Sequence, residues 1–536
     1  MISRRRDLAL GEWKLPLRRW QLEATRSWGQ REPENDLWVA TPGAGKTTAA
    51  ARLTHALLRQ GSIEQVIIVV PRDHLKAQFA RSLAAVGIHL DYAFSNGFPV
   101  LSQDMHGAVV SYQQVAIEPN VYRRLNTRRT LVILDEIHHA GDGASWGDAL
   151  TVAFGNATYR LALSGTPFRS DGKRIPFVVY RGDGTCEPGF NYGYEAALAD
   201  GVCRQVIFPV VQGEQSWISR NGDKMTATFE TRIAKDLQSE RLRTHLLHDT
   251  FSSVISAAHE TLARVRMDGH TNAGGLIVCM NQDHAKHMVA LVERTVGIRP
   301  GLVVSEDPDA SRKIDAFAHS SEPWLVAVHM VSEGVDIPRL RVGVFASNVR
   351  TELYFRQFVG RFVRLTRGMP ATQKAYVFIP GDPKLVRFAK EIRLEVQAAI
   401  KKRDETEAAA EREAGDRSPS LYEALSATMT IGNPLHGEMP TGLRAPLPFP
   451  PSAAVPAAPD PAPLSRGDAK MESRRKIKMM VGVVTARFKV DSRKVYTTLK
   501  KRCGDQDISE STLHHLDERV RQLERWVEKG YYDGKR

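Results

Sequence analysis

The sequence has little cysteine and no long apolar run. Its 536 residues include four cysteines, at positions 186, 203, 279 and 503, and no CxxC pair, which argues against a disulfide framework and a zinc ribbon. No apolar stretch approaches the roughly 18 residues that cross a bilayer, and the first residues lack the apolar core of a signal peptide. We therefore expect a cytoplasmic protein without a membrane partner.

Acidic residues are outnumbered by basic ones. The chain has 74 Lys and Arg against 61 Asp and Glu, which gives a net charge of +13. This excess favours a polyanionic partner, with nucleic acid as the leading candidate. Hydrophobic residues at 42% and charged residues at 25% are typical of globular domains and argue against wholesale disorder. The Ala- and Arg-rich composition points to a bacterial or phage-encoded protein.

Apolar runs alternate with helical stretches in two blocks of the chain. Runs at residues 37–40 and 66–70 flank a glycine-rich turn and a helical stretch from Lys46 to Gln60, which is the order of a βαβ unit. The alternation resumes after residue 272, so we expect two α/β domains with parallel sheets. The expected segments are a first α/β domain (1–180), a connecting region or insertion (181–272), a second α/β domain (273–384), a helical extension (385–432), a Pro-rich linker (433–466) and a small basic helical module (467–536).

The C-terminal part combines a Pro-rich stretch with a basic one. Ten prolines among residues 434–463 predict an extended linker. Residues 470–502 contain 12 basic residues against only Glu472 and Asp491. Three roles for this module stay open: DNA binding, docking of a protein partner, and solubility.

A glycine-rich motif, ATPGAGKTT, lies between the first predicted strand and the first predicted helix. In this context glycines let backbone N–H groups surround phosphates, a Lys contacts the β- and γ-phosphates, and a hydroxyl binds Mg²⁺. The motif therefore predicts ATP and Mg²⁺ as cofactors. The predicted nucleotide-binding positions are Pro42, Gly43, Ala44, Gly45, Lys46, Thr47 and Thr48.

A second motif, LVILDEIHH, is an apolar strand that ends in paired carboxylates. Asp135 at the strand end can hold Mg²⁺ together with Thr47, and Glu136 can orient or deprotonate the attacking water. His138 and His139 could instead be metal ligands, but no set of carboxylates or histidines at ligand spacing accompanies them.

With these motifs in this order, the chain resembles superfamily 2 helicases, and most of all the Res-subunit type of DNA translocase found in type III restriction enzymes. The resemblance extends from about residue 17 to residue 388. It implies two tandem RecA-like domains, ATP hydrolysis and DNA as the favoured nucleic acid. The DEIH form of the second motif is that of the DExH branch.

The resemblance also implies roles for residues in the first domain. Gln21 in RRWQ would read the adenine base, with Arg18 nearby. His138 would couple the nucleotide site to the SGTP motif, whose hydroxyls Ser164 and Thr166 link the ATP state to domain closure.

In the second domain, VSEGVDIP and QFVGRFVR resemble the remaining helicase motifs. Gly334 and Asp336 would lie near the ribose and the interdomain cleft. Gln357 is the first residue of the last motif. The two arginines of this motif are three residues apart, are expected on one helical face and would act as arginine fingers. Arg361 and Arg364 would thus stabilise charge at the γ-phosphate.

Candidate nucleic-acid contacts come from motif positions alone. These are Pro71 and Arg72 in VVPRDHLKAQF, Ser111 and Tyr112 in VSYQQ, and residues 280–283. Each segment could equally be a helix cap or a strand end.

These observations predict an ATP-dependent DNA helicase or translocase. An RNA helicase is one alternative, because the motor motifs read the backbone. A duplex-DNA translocase that serves as the motor subunit of a restriction or defence complex, without strand separation, is another. No nuclease or methyltransferase signature accompanies the motor motifs.

Overall fold

The computed structural model describes two compact units. The described residues are 10–97, 99–126, 129–138, 146–165, 174–183, 185–218, 224–247, 251–304, 307, 309–328, 337–366, 373–397, 465–504, 507–508, 511–530 and 532. The first unit comprises the described residues up to Val39, those of Gly45–Asn191 and the C-terminal part from 465. The second comprises Ala40–Ala44 and the described residues from Tyr192 to 397. Residues 398–432 of the predicted helical extension and 433–464 of the predicted Pro-rich linker lie outside the described residues, whereas 465 and 466 belong to the start of a helix.

A seven-stranded sheet forms the centre of the first unit. Its spatial order is β3-β4-β2-β5-β6-β1-β7, and the pairings of β1 to β6 with one another are parallel. The strands β2 and β5 are buried along their whole length, as expected for the middle of a sheet covered on both faces. The strands are β1 (Asn35–Ala40), β2 (Gln65–Val70), β3 (Leu90–Asp91), β4 (Gly107–Ser111), β5 (Thr130–Asp135), β6 (Tyr159–Ser164) and β7 (Phe190–Tyr192).

Helices connect these parallel strands. The first of the crossover helices, α2, begins at Lys46 as the sequence predicts and ends before Gly61, which adopts the left-handed conformation that favours glycine. The helices of this part are α1 (Arg19–Arg31), α2 (Lys46–Gln60), α3 (His74–Ala84), α4 (Tyr112–Ile117), α5 (Pro119–Leu125) and α6 (Trp146–Phe154).

A second parallel sheet forms the second unit. Its order is β13-β14-β12-β15-β16-β8, and β9 pairs with the end of β16. The predicted architecture of two tandem RecA-like domains is therefore confirmed. The strands are β8 (Gln205–Ile207), β9 (Val210–Val211), β10 (Glu214–Ile218), β11 (Lys224–Thr228), β12 (Gly274–Cys279), β13 (Gly301–Val303), β14 (Trp324–Val328), β15 (Leu340–Ala346) and β16 (Lys374–Pro380).

The region before residue 273 contributes to this second sheet. Strands β8 and β9 pair with β16, while β10 and β11 form a separate antiparallel hairpin. Strands of two or three residues carry too little apolar sequence to be predicted from pattern. The helices of this unit are α7 (Tyr194–Ala199), α8 (Lys235–Leu247), α9 (Phe251–Met267), α10 (Gln282–Val296), α11 (Ala310–His319), α12 (Glu352–Val359) and α13, described over 383–397.

Three helices form the C-terminal module, as the sequence predicts. They are α14 (Arg466–Phe488), α15 (Ser492–Cys503) and α16 (Leu513–Lys529). Each has a side-chain N-cap, from Ser465, Asp491 and Thr512 respectively. Their apolar faces share a core of their own, which contains Val484, Leu523 and other Ile, Val, Leu and aromatic side chains.

The module packs on the β3 edge of the first sheet through a buried ion pair. Lys470 on α14 is 1% exposed, and its Nζ lies 2.7 Å from Asp104 Oδ1 and 2.7 Å from Ser102 Oγ. Asp104 also accepts a hydrogen bond from the Leu513 backbone N–H at the start of α16. One carboxylate of the first domain therefore fixes two helices of the module.

A second carboxylate, on the module itself, completes this interface. Asp468 accepts hydrogen bonds from Arg81 on α3 and from the Tyr92 hydroxyl, the latter at 2.7 Å. Arg474 lies 3.5 Å from Asp91 at the end of β3. The sequence predicted a module on a linker, and the structure shows that it is also seated on the first domain.

Among the described residues, no helix combines the length and the apolar composition that a bilayer crossing requires.

We predict that Asp104→Ala destabilises the protein by about 3–5 kcal/mol, because it leaves the buried Lys470 ammonium without its counter-charge. The measurement is the unfolding free energy or thermal midpoint by circular dichroism. Asp309→Ala, which removes an exposed partner of Arg312, should change it by less than about 0.5 kcal/mol. The double variant Asp104→Ala/Lys470→Met should recover stability. Equal effects of Asp104→Ala and Asp309→Ala would contradict the prediction.

Candidate functional site

The glycine-rich motif forms a loop between β1 and α2. Gly43 and Gly45 have φ values of +81° and +89°, and the Ala44 N–H donates to the Thr41 carbonyl at 3.1 Å. Gly45 is the N-cap of α2 and Lys46 is its first residue, so the loop ends where unpaired helix N–H groups are available. This is the geometry in which backbone amides bind phosphate.

Gln21 supports this loop with both ends of its amide. Its Nε2 donates to the Gly45 carbonyl at 2.9 Å, and its Oε1 accepts from the Arg18 N–H at 2.8 Å. The Gln21 side chain is buried. The structure therefore places this predicted base-reading residue on the loop itself, and both of its amide atoms already have protein partners.

Lys46 pairs with Glu136 across the end of the first sheet. The Nζ of Lys46 lies 2.6 Å from Glu136 Oε1, and the second carboxylate oxygen accepts the Gly165 N–H at 3.2 Å. The strand order β5-β6-β1 explains this meeting, because the carboxyl ends of parallel neighbours lie at one edge. Three motifs far apart in sequence thus converge on one carboxylate.

Glu136 has an unusual backbone and a strongly favoured charge. Its φ of +46° lies in the left-handed region, which costs a residue with a side chain about 1 kcal/mol or more. Burial raises the pKa of Glu136, but the Lys46 ammonium, His138 and the two hydrogen bonds to the carboxylate outweigh it and lower that pKa to about 2. The side chain is therefore ionised at neutral pH.

His138 joins the same cluster from the other side. Its Nδ1 lies 3.0 Å from the Ser164 hydroxyl and 3.6 Å from Glu136 Oε2, and both His138 and Ser164 are buried. The DEIH and SGTP motifs, for which the resemblance implies coupling, are thus in direct contact through the His138–Ser164 hydrogen bond. Thr166, the other SGTP hydroxyl to which the resemblance assigns a coupling role, lies outside the described residues.

Asp135 and Thr47 are the predicted oxygen ligands of Mg²⁺, and they lie at the end of β5 and at the start of α2. Asp135 is the last residue of β5 and is buried, while Thr47 is half-buried in the first turn of α2, followed by Thr48. The backbone carbonyl of Asp135 accepts the Tyr112 hydroxyl at 2.9 Å, which fixes the end of the strand.

The arginines of QFVGRFVR lie in the second unit, and the expectation that they share a helical face is wrong. Helix α12 contains Gln357 but ends at Val359, before Arg361. Arg364 lies in extended backbone that forms a bridge with Cys203, and the Arg204 N–H donates to the Val363 carbonyl at 2.7 Å. Strand-like pairing therefore replaces the last predicted helical turn. The predicted ribose positions Gly334 and Asp336 lie outside the described residues.

The predicted nucleic-acid contacts divide into two groups. Pro71 and Arg72 follow the end of β2 and are half-buried. Ser111 instead is the N-cap of α4 and accepts the Gln114 N–H, and the Tyr112 side chain is 1% exposed. The Tyr112 side chain lies inside the domain, where its hydroxyl stabilises the Asp135 strand end, and the contact of positions 111 and 112 with nucleic acid stays a prediction.

The backbone N–H of Gly165 is a contact of the site that the sequence analysis did not predict. For the SGTP motif it named only the two hydroxyls, whereas the amide between them donates to Glu136. The glycine in the motif was the available signal, since a residue without a side chain allows close approach of a carboxylate to backbone.

This loop, acidic strand end and SGTP turn have the order and the contacts in which the chain resembles superfamily 2 helicases. Residues 14–169 match the family described as "Type III restriction enzyme, res subunit". The DNA 3'-5' translocase XPB2 of Sulfurisphaera tokodaii is 23% identical over 66% of this chain and 79% of its own. The resemblance to superfamily 2 helicases, most like the Res subunit, is confirmed, and the chain is a helicase-like, restriction-enzyme-related protein.

Closer sequence similarity extends over most of the chain. The uncharacterized protein Rv2917 of Mycobacterium tuberculosis is 44% identical over 394 residues, 71% of this chain. The match spans 64% of the length of that relative, just under two thirds. A solved fragment assigned to the HsdR subunit of a type I restriction enzyme from Vibrio vulnificus has a TM-score of 0.48 and 16% identity, covering 70% of this chain and 66% of that one.

We predict that Gly45→Ala destabilises the first domain more than Gly61→Ala. Both residues flank α2 with a left-handed φ, so both substitutions carry the same kind of backbone strain. A Cβ at position 45 would lie 2.7 Å from Gln21 Nε2, whereas nothing lies within 4 Å of one at position 61. Thermal unfolding should show an additional loss of about 1–3 kcal/mol for Gly45→Ala, from the broken Gln21 hydrogen bond. Equal losses would contradict the role assigned to Gln21.

Proposed function

We propose that the chain is an ATP-dependent motor that moves along or unwinds DNA. The observation that carries this proposal is the contact of Glu136 with Lys46, Gly165 and His138 at the edge of the first sheet. This cluster brings the glycine-rich, DEIH and SGTP motifs of the first domain into contact with one another.

Lys46 is the residue that responds to ATP in this proposal. Its side chain is 12% exposed, and its ammonium pairs with the Glu136 carboxylate. The β- and γ-phosphates carry several charges, and they would arrive beside the free N–H groups at the start of α2, so they compete with Glu136 for Lys46. Glu136 is then released to accept a hydrogen bond from the attacking water.

A movement of Glu136 after its release from Lys46 can affect the SGTP motif through contacts that are already present. The carboxylate already contacts the Gly165 N–H and lies next to His138, which is bonded to Ser164. A shift of Glu136 therefore changes the partners of residues 164 and 165. This supports the coupling role proposed for His138, Ser164 and, beyond the described residues, Thr166.

The residues proposed for Mg²⁺ fit that ion chemically. Thr47 and Asp135 offer a hydroxyl and a carboxylate, and Mg²⁺ prefers hard oxygen ligands, usually few from protein with the rest from phosphates and water. When bound, the ion would neutralise charge on the phosphates. Gly43, Gly45 and the neighbouring loop positions Pro42, Ala44 and Thr48 would surround the nucleotide.

Five residues of the second unit have roles implied by the resemblance. Arg361 and Arg364 are proposed to stabilise the charge that develops on the transferred phosphoryl group, with Gln357 beside them. Pairing of the Arg364 backbone with Cys203 fixes the position from which its side chain extends. Gly334 and Asp336 are proposed to contact the ribose.

DNA is the proposed track. The net charge of +13 suits a polyanion, and one relative carries the name of a DNA translocase. Pro71 and Arg72, at the end of β2, are the proposed contacts in the first domain.

We predict that DNA stimulates ATP hydrolysis by the purified chain and that Lys46→Ala lowers the rate by about 100-fold or more, as loss of a charge that stabilises the transition state does. A coupled phosphate-release assay with single-stranded DNA, duplex DNA and RNA measures this. Lys390→Ala, an exposed lysine of α13, is the matched control and should retain full activity.

The form of nucleic acid separates the alternatives. Stimulation by duplex DNA without strand separation in a displacement assay indicates a duplex translocase, and stimulation by RNA alone indicates an RNA helicase. Equal rates for Lys46→Ala and the unmodified chain would refute the proposal.

A further inference from the structure

Helix α15 presents a basic face that the rest of the module does not neutralise. Its twelve residues include five Lys or Arg and no Asp or Glu. The buried positions Val495, Leu499 and Cys503 recur every four residues and turn one face toward the module core. On the other side, the side chains of Arg493, Lys494, Thr497 and Lys501 are exposed. We call these four residues the α15 basic face.

Four basic residues of α14 have structural partners. Lys470 and Arg474 bind carboxylates of the first domain, and Lys476 lies 2.6 Å from Glu524 of α16. The Arg487 guanidinium donates to the Val527 carbonyl. Within the described part of the chain, by contrast, Arg493, Lys494 and Lys501 form no ion pair. The α15 basic face therefore carries three positive charges without an internal counter-charge, on a helix that has no acidic residue.

The seating of the module leaves this face clear of the first domain. The contacts with that domain come from the first turns of α14, as far as Arg474, and from residues 511–513. Helix α14 continues to Phe488, about 20 Å further along its axis at 1.5 Å per residue. Residues 489–491 then lead directly into α15. The start of α15 therefore lies at the end of α14 that is remote from the first domain. The other end of α14 is attached to that domain by the buried Lys470–Asp104 pair.

We propose that the α15 basic face binds the phosphate backbone of duplex DNA. An α-helix fits the major groove, and Lys, Arg and Thr side chains are typical phosphate contacts. Binding of single strands relies on exposed aromatic side chains for stacking. The aromatic residue of α15, Tyr496, packs against the module core instead. This inference rests on the proposed function for the choice of DNA over other polyanions.

A charge-reversed variant tests the face. In Arg493→Glu/Lys494→Glu the new carboxylates lie in the first turn of α15, where they favour the helix dipole, so the helix is retained. We expect affinity for a fluorescein-labelled 20-base-pair duplex, measured by anisotropy between 50 and 200 mM KCl, to fall at least tenfold. The slope of log affinity against log salt should become shallower by about two, since each lost phosphate contact contributes roughly 0.9.

The matched control reverses two exposed arginines of the same unit. Arg123→Glu/Arg124→Glu on α5 changes the net charge equally, and we expect it to lower affinity less than twofold. Equal losses in both variants would mean that only total charge matters, and no loss in either would mean that the face does not bind; both results overturn the proposal. So does a loss on single-stranded DNA or duplex RNA that equals the loss on duplex DNA. Circular dichroism confirms that both variants fold.

Hydrolysis measured on the same proteins keeps this inference separate from the proposed function. If DNA stimulates the unmodified chain but the α15 variant binds like the control, the motor stands and the face is refuted. If the unmodified chain binds duplex DNA without any stimulation of hydrolysis, the motor fails and anisotropy alone decides for or against the face. Absence of any binding of duplex DNA by the unmodified chain refutes the face.

Discussion

The contact between Lys46 and Glu136 depends on one constraint, the parallel order of the first sheet. With β5, β6 and β1 side by side, the residues that follow each strand leave the sheet at the same edge. The glycine-rich loop, the acidic strand end and the SGTP turn therefore meet, although 90 residues separate Lys46 from Glu136. A change in strand order would separate these side chains without altering any motif.

The cluster at this edge holds charge in a strained arrangement. Glu136 keeps a left-handed backbone, is ionised, and is shared between an ammonium, a backbone N–H and a neighbouring imidazole. The carboxylate thus has three polar neighbours at once, and the proposed function uses this by letting phosphates compete for one of them, the Lys46 ammonium. The buried Tyr112 hydroxyl donates to the Asp135 carbonyl and fixes the strand end beside this carboxylate.

The C-terminal module uses charge in two different ways. At the base of α14, a few ions are buried and paired, so that Lys470, Asp104 and Asp468 attach the module firmly to the β3 edge. On α15, the positive side chains remain in solvent. Buried charges are costly unless paired, whereas exposed ones stay available for a polyanion. Because the paired charges lie on α14 and the exposed ones on α15, the module is attached to the first domain and still presents positive charge to solvent.

Local sequence was sufficient to predict the two α/β blocks, the start of α2 at Lys46 and the basic helical module. It was also sufficient to find the glycine-rich and DEIH motifs, because each of these features depends on local periodicity, glycine placement or charge. Tertiary structure decided the rest. The hydrogen bond from Gly165 to Glu136, the burial of Tyr112, the end of α12 before Arg361 and the seating of α14 on Asp104 each join residues distant in the chain. Local pattern carries no information about such partners, since they are set by strand order and by which surfaces meet.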